Sequence, residues 1–174
     1  MNRKLKDLTK QEIKDLNRDF EFFYGGTFSQ WKRCRFCENG IMFTSAEQYM
    51  MYHKAVLFDD LEIAKEILRT NHPSDIKKLG RLVKGFNQRI WDENKYRIVL
   101  NGNLLKFTQN PGLKVELLET GNRILVEASP YDDVWGIKLS EMDPRRYDPL
   151  NWRGKNLLGF ALTEVKEVLR EMGV

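Results

Sequence analysis

Residues 44–55 read TSAEQYMMYHKA, and this stretch decides how the chain is built. Ser45 precedes Gln48 by three positions, the spacing of a capping box, in which each side chain takes the other's backbone amide. A helix over residues 46–58 follows. Tyr49, Met50, Met51, Tyr52, Val56 and Leu57 make it apolar all round, as expected of a buried element. Two charges interrupt that surface. Glu47 and Lys54 stand seven residues apart, so they lie within about 20° of each other around the axis and about 10 Å apart along it. A buried carboxylate or amine without a partner costs on the order of several kcal/mol, and these two are too far apart to pair comfortably. Either a pocket lies between them, in which Glu47 handles protons and a desolvated Lys54 contacts an anion or acts as an amine nucleophile, or the helix carries a partly exposed stripe with both charges in water.

Working outward, IMFTS at 41–45 reads as a strand running into the helix cap. FEFFYGGTFSQW at 20–31 reads as short extended pieces around Gly25 and Gly26. Downstream, Asp59 or Asp60 caps a second helix to Thr70, and Pro73 opens a third that ends near Gly80. Asn87 caps a longer one through Trp91, Val99 and Phe107, and Asn110 before Pro111 repeats the start signal. RILVEAS at 123–129 alternates like a half-buried strand, and PYDDVWG is a turn-rich loop. Residues 155–171 form a closing amphipathic helix with Leu158, Leu162, Val165 and Leu169 on one face. Near the start, Thr9 and Glu12 form a capping box for a polar helix to about Asp19. The fold expected is α+β: a predominantly helical single domain with a small β-sheet over residues 20–174, after a polar helical extension over residues 1–19.

At 174 residues the chain suits one core, and 41% hydrophobic with 31% charged residues is too mixed for a disordered chain. No apolar run approaches the ~20 residues of a membrane span, and the first residues contain no apolar signal core. A cytoplasmic protein without a membrane partner is expected. A net charge of +4 can draw in phosphates, but there is no dense basic arm for nucleic acid. Cys34 and Cys37 are the only cysteines, which argues against a disulfide scaffold. With His53 and His72 they would make up a zinc ligand count, but the spacing fits no compact finger, so neither metal nor Cys-His catalysis is expected.

Two further segments carry chemistry. In EASPYDDVWG, Glu127 ends a strand and Asp132, Asp133 and Trp135 follow on a turn. Carboxylates there could bind ribose hydroxyls while the indole stacks on a base, although Asp in a turn and Trp in a core also account for them. In NWRGKNLLG, Trp152, Arg153, Lys155 and Asn156 stand at a helix entrance, where free amides and cations suit a phosphate.

Taken together, FSQW, SAEQYMMYHKA, LGRLVKGF followed by Trp91, LLKFTQNPGL, LLETG, LVEASPYDDVWGI and NWRGKNLLGFAL resemble the NADAR family, also called YbiA-like, from about Phe20 to Arg170. The resemblance implies an N-glycosidase. Members cleave the ribose-to-nitrogen bond of phosphorylated ribosylamino-pyrimidines from riboflavin synthesis, or of ADP-ribosylated guanine. The partner implied is therefore a phosphorylated ribosyl or ADP-ribosyl small molecule, with ADP-ribosylated nucleic acid as a further form, and no cofactor. The resemblance implies catalytic roles for Glu47 as general acid or base, for Lys54 as nucleophile or charge stabiliser, with a Schiff base to the opened sugar as one route, and for Asp132 and Trp135 in holding ribose and base. It also makes Phe28, Ser29, Trp31 and Trp91 candidates for substrate binding. Lys106, Glu127, Trp152 and Asn156 join them. The alternative is a module that binds ADP-ribose or a related nucleotide without cleaving it; a third class is a protein-interaction domain using a basic surface. Where the family usually reads WGIGL, this chain has Lys138 in place of the second glycine, which would alter the pocket rim. Thr163 and Lys166 replace a common Met and Arg, a change expected to affect phosphate contacts.

Overall fold

The computed structural model describes residues 3–173, so residues 1 and 2 of the expected extension and residue 174 of the expected domain lie outside the described residues. In chain order the elements are α1 (Lys10–Asp15), β1 (Phe20–Phe23), β2 (Phe36–Glu38), β3 (Ile41–Phe43), α2 (Ala46–Leu57), α3 (Leu61–Arg69), α4 (Pro73–Arg81), α5 (Gln88–Gln109), α6 (Pro111–Glu119), β4 (Ile124–Glu127) and α7 (Leu157–Glu171). The fold is α+β and predominantly helical, and among the described residues its few strands make two two-stranded sheets. None of the described helices is long and apolar enough to cross a membrane. Two compact units make up the chain, Gln30–Lys114 and Met1–Ser29 with Val115–Val174.

In the unit Gln30–Lys114, α2 packs against α3, α4 and α5. The antiparallel pair β2 and β3 sets Phe36 opposite Phe43, and both rings meet Tyr49 of α2 in one aromatic cluster. Ser45 caps α2 as expected, its Oγ accepting the Gln48 amide at 3.1 Å. The capping box itself is only half formed. Gln48 Oε1 accepts instead from the amide and hydroxyl of Thr44, and its Nε2 donates to the carbonyls of Ile67 and Thr70, tying α2 to the end of α3. Asp60 rather than Asp59 caps α3, accepting from Ile63 N with one oxygen and from Lys84 N with the other. Pro73 stands in the first turn of α4, and Asn87 Oδ1 caps α5 through Ile90 N.

The expectation that α2 is apolar and buried all round holds for residues 46–51 and, beyond them, only for Ala55. Val56 is 40% exposed, and Tyr52, His53, Lys54 and Leu57 are half-buried, because three helices cover only part of the second half. Close approach is built in: a Cβ on Gly80 of α4 would lie 2.0 Å from Met51 Sδ, and one on Gly102 of α5 would lie 2.5 Å from the Tyr49 ring.

In the other unit, β1 and β4 pair in parallel, with Phe20 opposite Ile124 and Phe23 opposite Glu127. The alternating reading of β4 is overturned, since Ile124, Leu125 and Val126 are all fully buried. A parallel strand with α7 packed on it is apolar on both faces, and such strands read as continuous apolar runs. Helix α7 starts at Leu157 instead of Lys155, and it buries Phe160, Ala161, Thr163 and Lys166 as well as the expected stripe. The capping box of Thr9 and Glu12 is complete. Helix α1 stops at Asp15, short of Asp19, because the chain turns through Asn17 at φ 49°. The extension packs onto its unit: Lys10 Nζ donates to the Trp152 carbonyl, and Lys14 pairs with Asp148 at 3.0 Å.

Candidate active site

Helix α2 places Glu47 in its first turn and Lys54 in its last. Glu47 is 3% exposed; its amide donates to the Gln30 carbonyl at 2.9 Å, and its carboxylate sits at the end of the helix where the dipole favours negative charge. Lys54 is half-buried. Its Nζ donates to the Gly80 carbonyl at 2.7 Å and lies 4.5 Å from the centre of the Phe86 ring and 5.6 Å from that of Trp91. Burial pushes the Lys54 pKa below the ordinary lysine value, the Arg81 charge lowers it further, and Glu47 opposes the shift. Such an amine is neutral more often than an exposed lysine, and the neutral form is the nucleophile.

Trp91, at the start of α5, is buried beside Lys54, so the structure joins three of the expected residues, Glu47, Lys54 and Trp91, to Gly80, Arg81 and Phe86, which sequence reasoning missed. The signal for these three was the LGRLVKGF stretch, from which only the following tryptophan was taken. On the next face of α2, Tyr49 Oη donates to Glu38 Oε1 and His53 Nε2 meets Glu38 Oε2, both at 2.8 Å. His72 is bonded to Ser74. Among the described residues there is no group of three or more His, Cys, Asp or Glu able to hold a metal. Trp31 is largely exposed. Lys106 is fully buried over the Phe107 ring and near Cys34; burial lowers its pKa to about 8.

In the unit that contains β4, Glu127, Asp132, Trp135 and Asn156 converge on one loop. Asp132 Oδ1 accepts from the amides of Val134 and Trp135 at 2.9 and 2.7 Å, which leaves Oδ2 outside that turn. Ser129 Oγ in turn accepts from Asp132 N. The loop is packed against its neighbours: a Cβ on Gly136 would meet the Glu127 carbonyl at 2.9 Å, and one on Gly154 would meet the Gly136 carbonyl at 2.2 Å. Phe28 packs edge-on against Phe23, and Ser29 closes the turn that begins at Gly26.

The free amides expected at the entrance of α7 are not free. The amides of residues 153–158 donate to carbonyls of Asp133, Val134, Trp135, Gly136 and Ile137, because the loop folds back over the helix start. Asn156 is held at φ 52°; its Oδ1 accepts from Glu127 N at 2.9 Å and its Nδ2 donates to the Leu125 carbonyl at 3.1 Å. Trp152 Nε1 donates to the Arg146 carbonyl, and its ring stands edge-on to Phe20.

The model of the NADAR domain matches residues 22–170. The chain belongs to the NADAR family. N-glycosidase R617 of Acanthamoeba polyphaga mimivirus is 47% identical over 161 residues, covering 85% of this chain and 95% of that protein. The maize (Zea mays) chloroplastic riboflavin biosynthesis protein PYRR is 33% identical, over 70% of this chain but only 20% of its own length. Among solved structures, the NMR structure of the E. coli protein YbiA superposes with a TM-score of 0.74 at 26% identity, covering 89% of this chain and 87% of that one.

The departures from the usual NADAR pattern now have physical explanations. Lys138 has φ 55°, in the left-handed region where glycine is favoured, so the usual NADAR glycine answers a backbone need. Its side chain is exposed and reaches Asp133 at 3.6 Å. Neither Thr163 nor Lys166 is available for a phosphate, contrary to expectation, because both are buried and bonded within their unit. Thr163 Oγ1 accepts from Leu125 N and donates to the Gly159 carbonyl. Lys166 Nζ donates to Thr120 Oγ1 and to the Arg123 carbonyl.

Proposed function

We propose that this NADAR N-glycosidase, a hydrolase acting on N-glycosyl compounds, cleaves the ribose-to-base bond of a phosphorylated ribosylamino-pyrimidine or of ADP-ribosylated guanine. The observation that carries the reading is Lys54: a half-buried amine with a lowered pKa, flanked by Phe86 and Trp91, on the same helix face as the buried Glu47. The names of the relatives, an N-glycosidase and a riboflavin biosynthesis protein, support the reaction and the first substrate class.

In this mechanism Glu47 protonates the leaving nitrogen of the base while the Lys54 lone pair bonds to the anomeric carbon, so the C–N bond to the base breaks as the C–N bond to Lys54 forms. Loss of a proton and ring opening give a Schiff base, and water, deprotonated by Glu47, releases the sugar and restores the amine.

The test is release of free base from both substrate types by Glu47→Ala and Lys54→Ala, separately, with borohydride trapping of the sugar on the wild-type protein followed by mass. The expected results are loss of turnover in both variants and a trapped sugar on Lys54. Unchanged turnover in both would remove the mechanism.

A further inference from the structure

Lys54 and Arg81 form a charge arrangement that the hydrolytic mechanism does not use. Helix α4 ends at Arg81, and Gly80 before it lies so close to Met51 that a Cβ there would have to displace the Met51 sulfur, 2.0 Å away. The end of α4 is thereby fixed on α2, with the Gly80 carbonyl on Lys54 Nζ and Arg81 one peptide further on. Its neighbours among the cations are neutralised. Lys78 pairs with Asp75, and Lys84 lies beside the Asp60 carboxylate, which its own amide also holds. Arg81 is exposed, and among the described residues it makes no hydrogen bond or ion pair.

Arg81 and Glu47 thus act on Lys54 with opposite signs. Among the described residues the charged groups that shift Lys54 are Arg81 from α4 and Glu47 from α2 itself, and α5 contributes the Trp91 face. Two like charges held side by side repel, and an anion bound against them removes that repulsion. A guanidinium with all five donors available matches a phosphate through two parallel hydrogen bonds, which a lysine cannot provide. The rings of Phe86 and Trp91, centred 4.5 and 5.6 Å from Lys54 Nζ, supply apolar faces beside the amine on which a sugar can pack.

We propose that Arg81 is the anchor for the phosphate carried on the substrate's ribose, and that it makes the enzyme select phosphorylated over dephosphorylated ribosyl compounds. The proposal rests on the reading that Lys54 attacks the anomeric carbon. The shared chemistry is a phosphate ester on the ribose, whether a monophosphate or the diphosphate of ADP-ribose. Arg81 has a second consequence in the same geometry. Its charge holds the Lys54 amine toward its neutral form, so the acid limb of kcat/KM against pH, which reports the free enzyme, depends on it.

The test uses the full chain as wild type, Arg81→Gln and Arg81→Lys, with Arg89→Gln as a control on another exposed arginine. Binding of ribose 5-phosphate, ADP-ribose and ribose is measured by calorimetry. Turnover of phosphorylated and dephosphorylated ribosylamino-pyrimidine is measured above the acid limb. In Arg81→Gln the preference for the phosphorylated form should fall about ten- to a hundredfold in both binding and kcat/KM, as expected for losing a charged hydrogen-bonding pair. Its acid limb should move to higher pH. Arg81→Lys should keep the limb in place and recover only part of the preference, and Arg89→Gln should change neither. Loss confined to ribose 5-phosphate or to ADP-ribose shows which phosphate Arg81 holds. An unchanged preference in Arg81→Gln, or no binding of either phosphorylated probe by the wild type, overturns the proposal. If the wild type binds in an Arg81-dependent way but cleaves nothing, the anchor stands and the hydrolytic reading falls.

Discussion

Lys54 at the end of α2 and Lys166 in α7 are the same residue type, each with its pKa lowered mainly by burial, yet they do different things. Lys166 is fully buried, and its ammonium bridges Thr120 Oγ1 at 2.9 Å and the Arg123 carbonyl at 2.6 Å. It fastens α7 to the turn that leads into β4. Among the described residues Lys54 has a single protein acceptor, the Phe86 and Trp91 rings beside it and part of its surface open. Burial alone thus does not distinguish a reactive amine from a structural one; the number of fixed acceptors does. A lysine with its protons committed to backbone and hydroxyl oxygens is a strut, whereas one with a single carbonyl can move its lone pair to a substrate.

The sharpest way to break that contrast is Lys54→Ala. Removing a nucleophile should lower kcat by at least about three orders of magnitude, while urea unfolding shifts by no more than about 1 kcal/mol, since one half-buried hydrogen bond is lost. A large loss of stability with modest loss of turnover would make Lys54 a strut like Lys166.

Asn156→Ala should show the opposite profile. It strips the partners from the Glu127 amide and the Leu125 carbonyl and puts alanine at φ 52°, so we expect about 3 kcal/mol of destabilisation, read as a lower urea midpoint. Turnover per folded molecule should change far less than in Lys54→Ala.

Lys166→Met should cost about 1–2 kcal/mol at neutral pH through the unpaired Arg123 carbonyl, and it also carries a pH signature. In the folded protein Lys166 loses its proton near pH 8, against 10.5 for an ordinary lysine. Between those values the unfolded chain binds more protons, so stability rises as pH increases from about 8 toward 10.5, and the gain is lost as pH falls through 8. Lys106, also lowered to about 8, contributes with the same sign. Denaturation at pH 8 and pH 10 should show the rise in wild type and a smaller one in Lys166→Met; an equal rise would mean that Lys166 is not the group responsible.

What the sequence revealed follows from how local each interaction is. The Thr9, Ser45, Asp60 and Asn87 caps and the Pro73 helix start each involve residues within one turn, so spacing was enough to find them. The pairing of β4 with β1 joins residues about a hundred positions apart, and no local pattern marks it. Polar residues suffer most from this. Asn156, Thr163 and Lys166 read as possible phosphate ligands, but their partners are backbone groups of residues 123–127 and of Gly159 and the Thr120 hydroxyl, which become visible only once α7 lies on β4. In the unit with α2, Glu47 and Lys54 were findable because one helix carries both. Arg81 and Phe86 stand in the LGRLVKGF stretch, but nothing local ties that stretch to Lys54; the packing of α4 on α2 brings Arg81 near it, and Phe86 follows in the loop after α4.

Lys138 gives the smallest effect and the cleanest separation between backbone and site. At φ 55° any residue with a Cβ is strained by about 1 kcal/mol, and glycine is not. Its pair with Asp133, at 3.6 Å on an exposed surface, is worth between about 0 and 1 kcal/mol. Comparing Lys138→Gly with Lys138→Ala cancels the lost pair, because both variants lack it, and leaves the backbone difference less the extra freedom glycine gains on unfolding. The glycine variant should therefore be the more stable of the two by somewhat less than about 1 kcal/mol, with equal turnover. If both variants instead change substrate preference alike, the lysine side chain shapes the site and the family's glycine is not explained by the backbone alone.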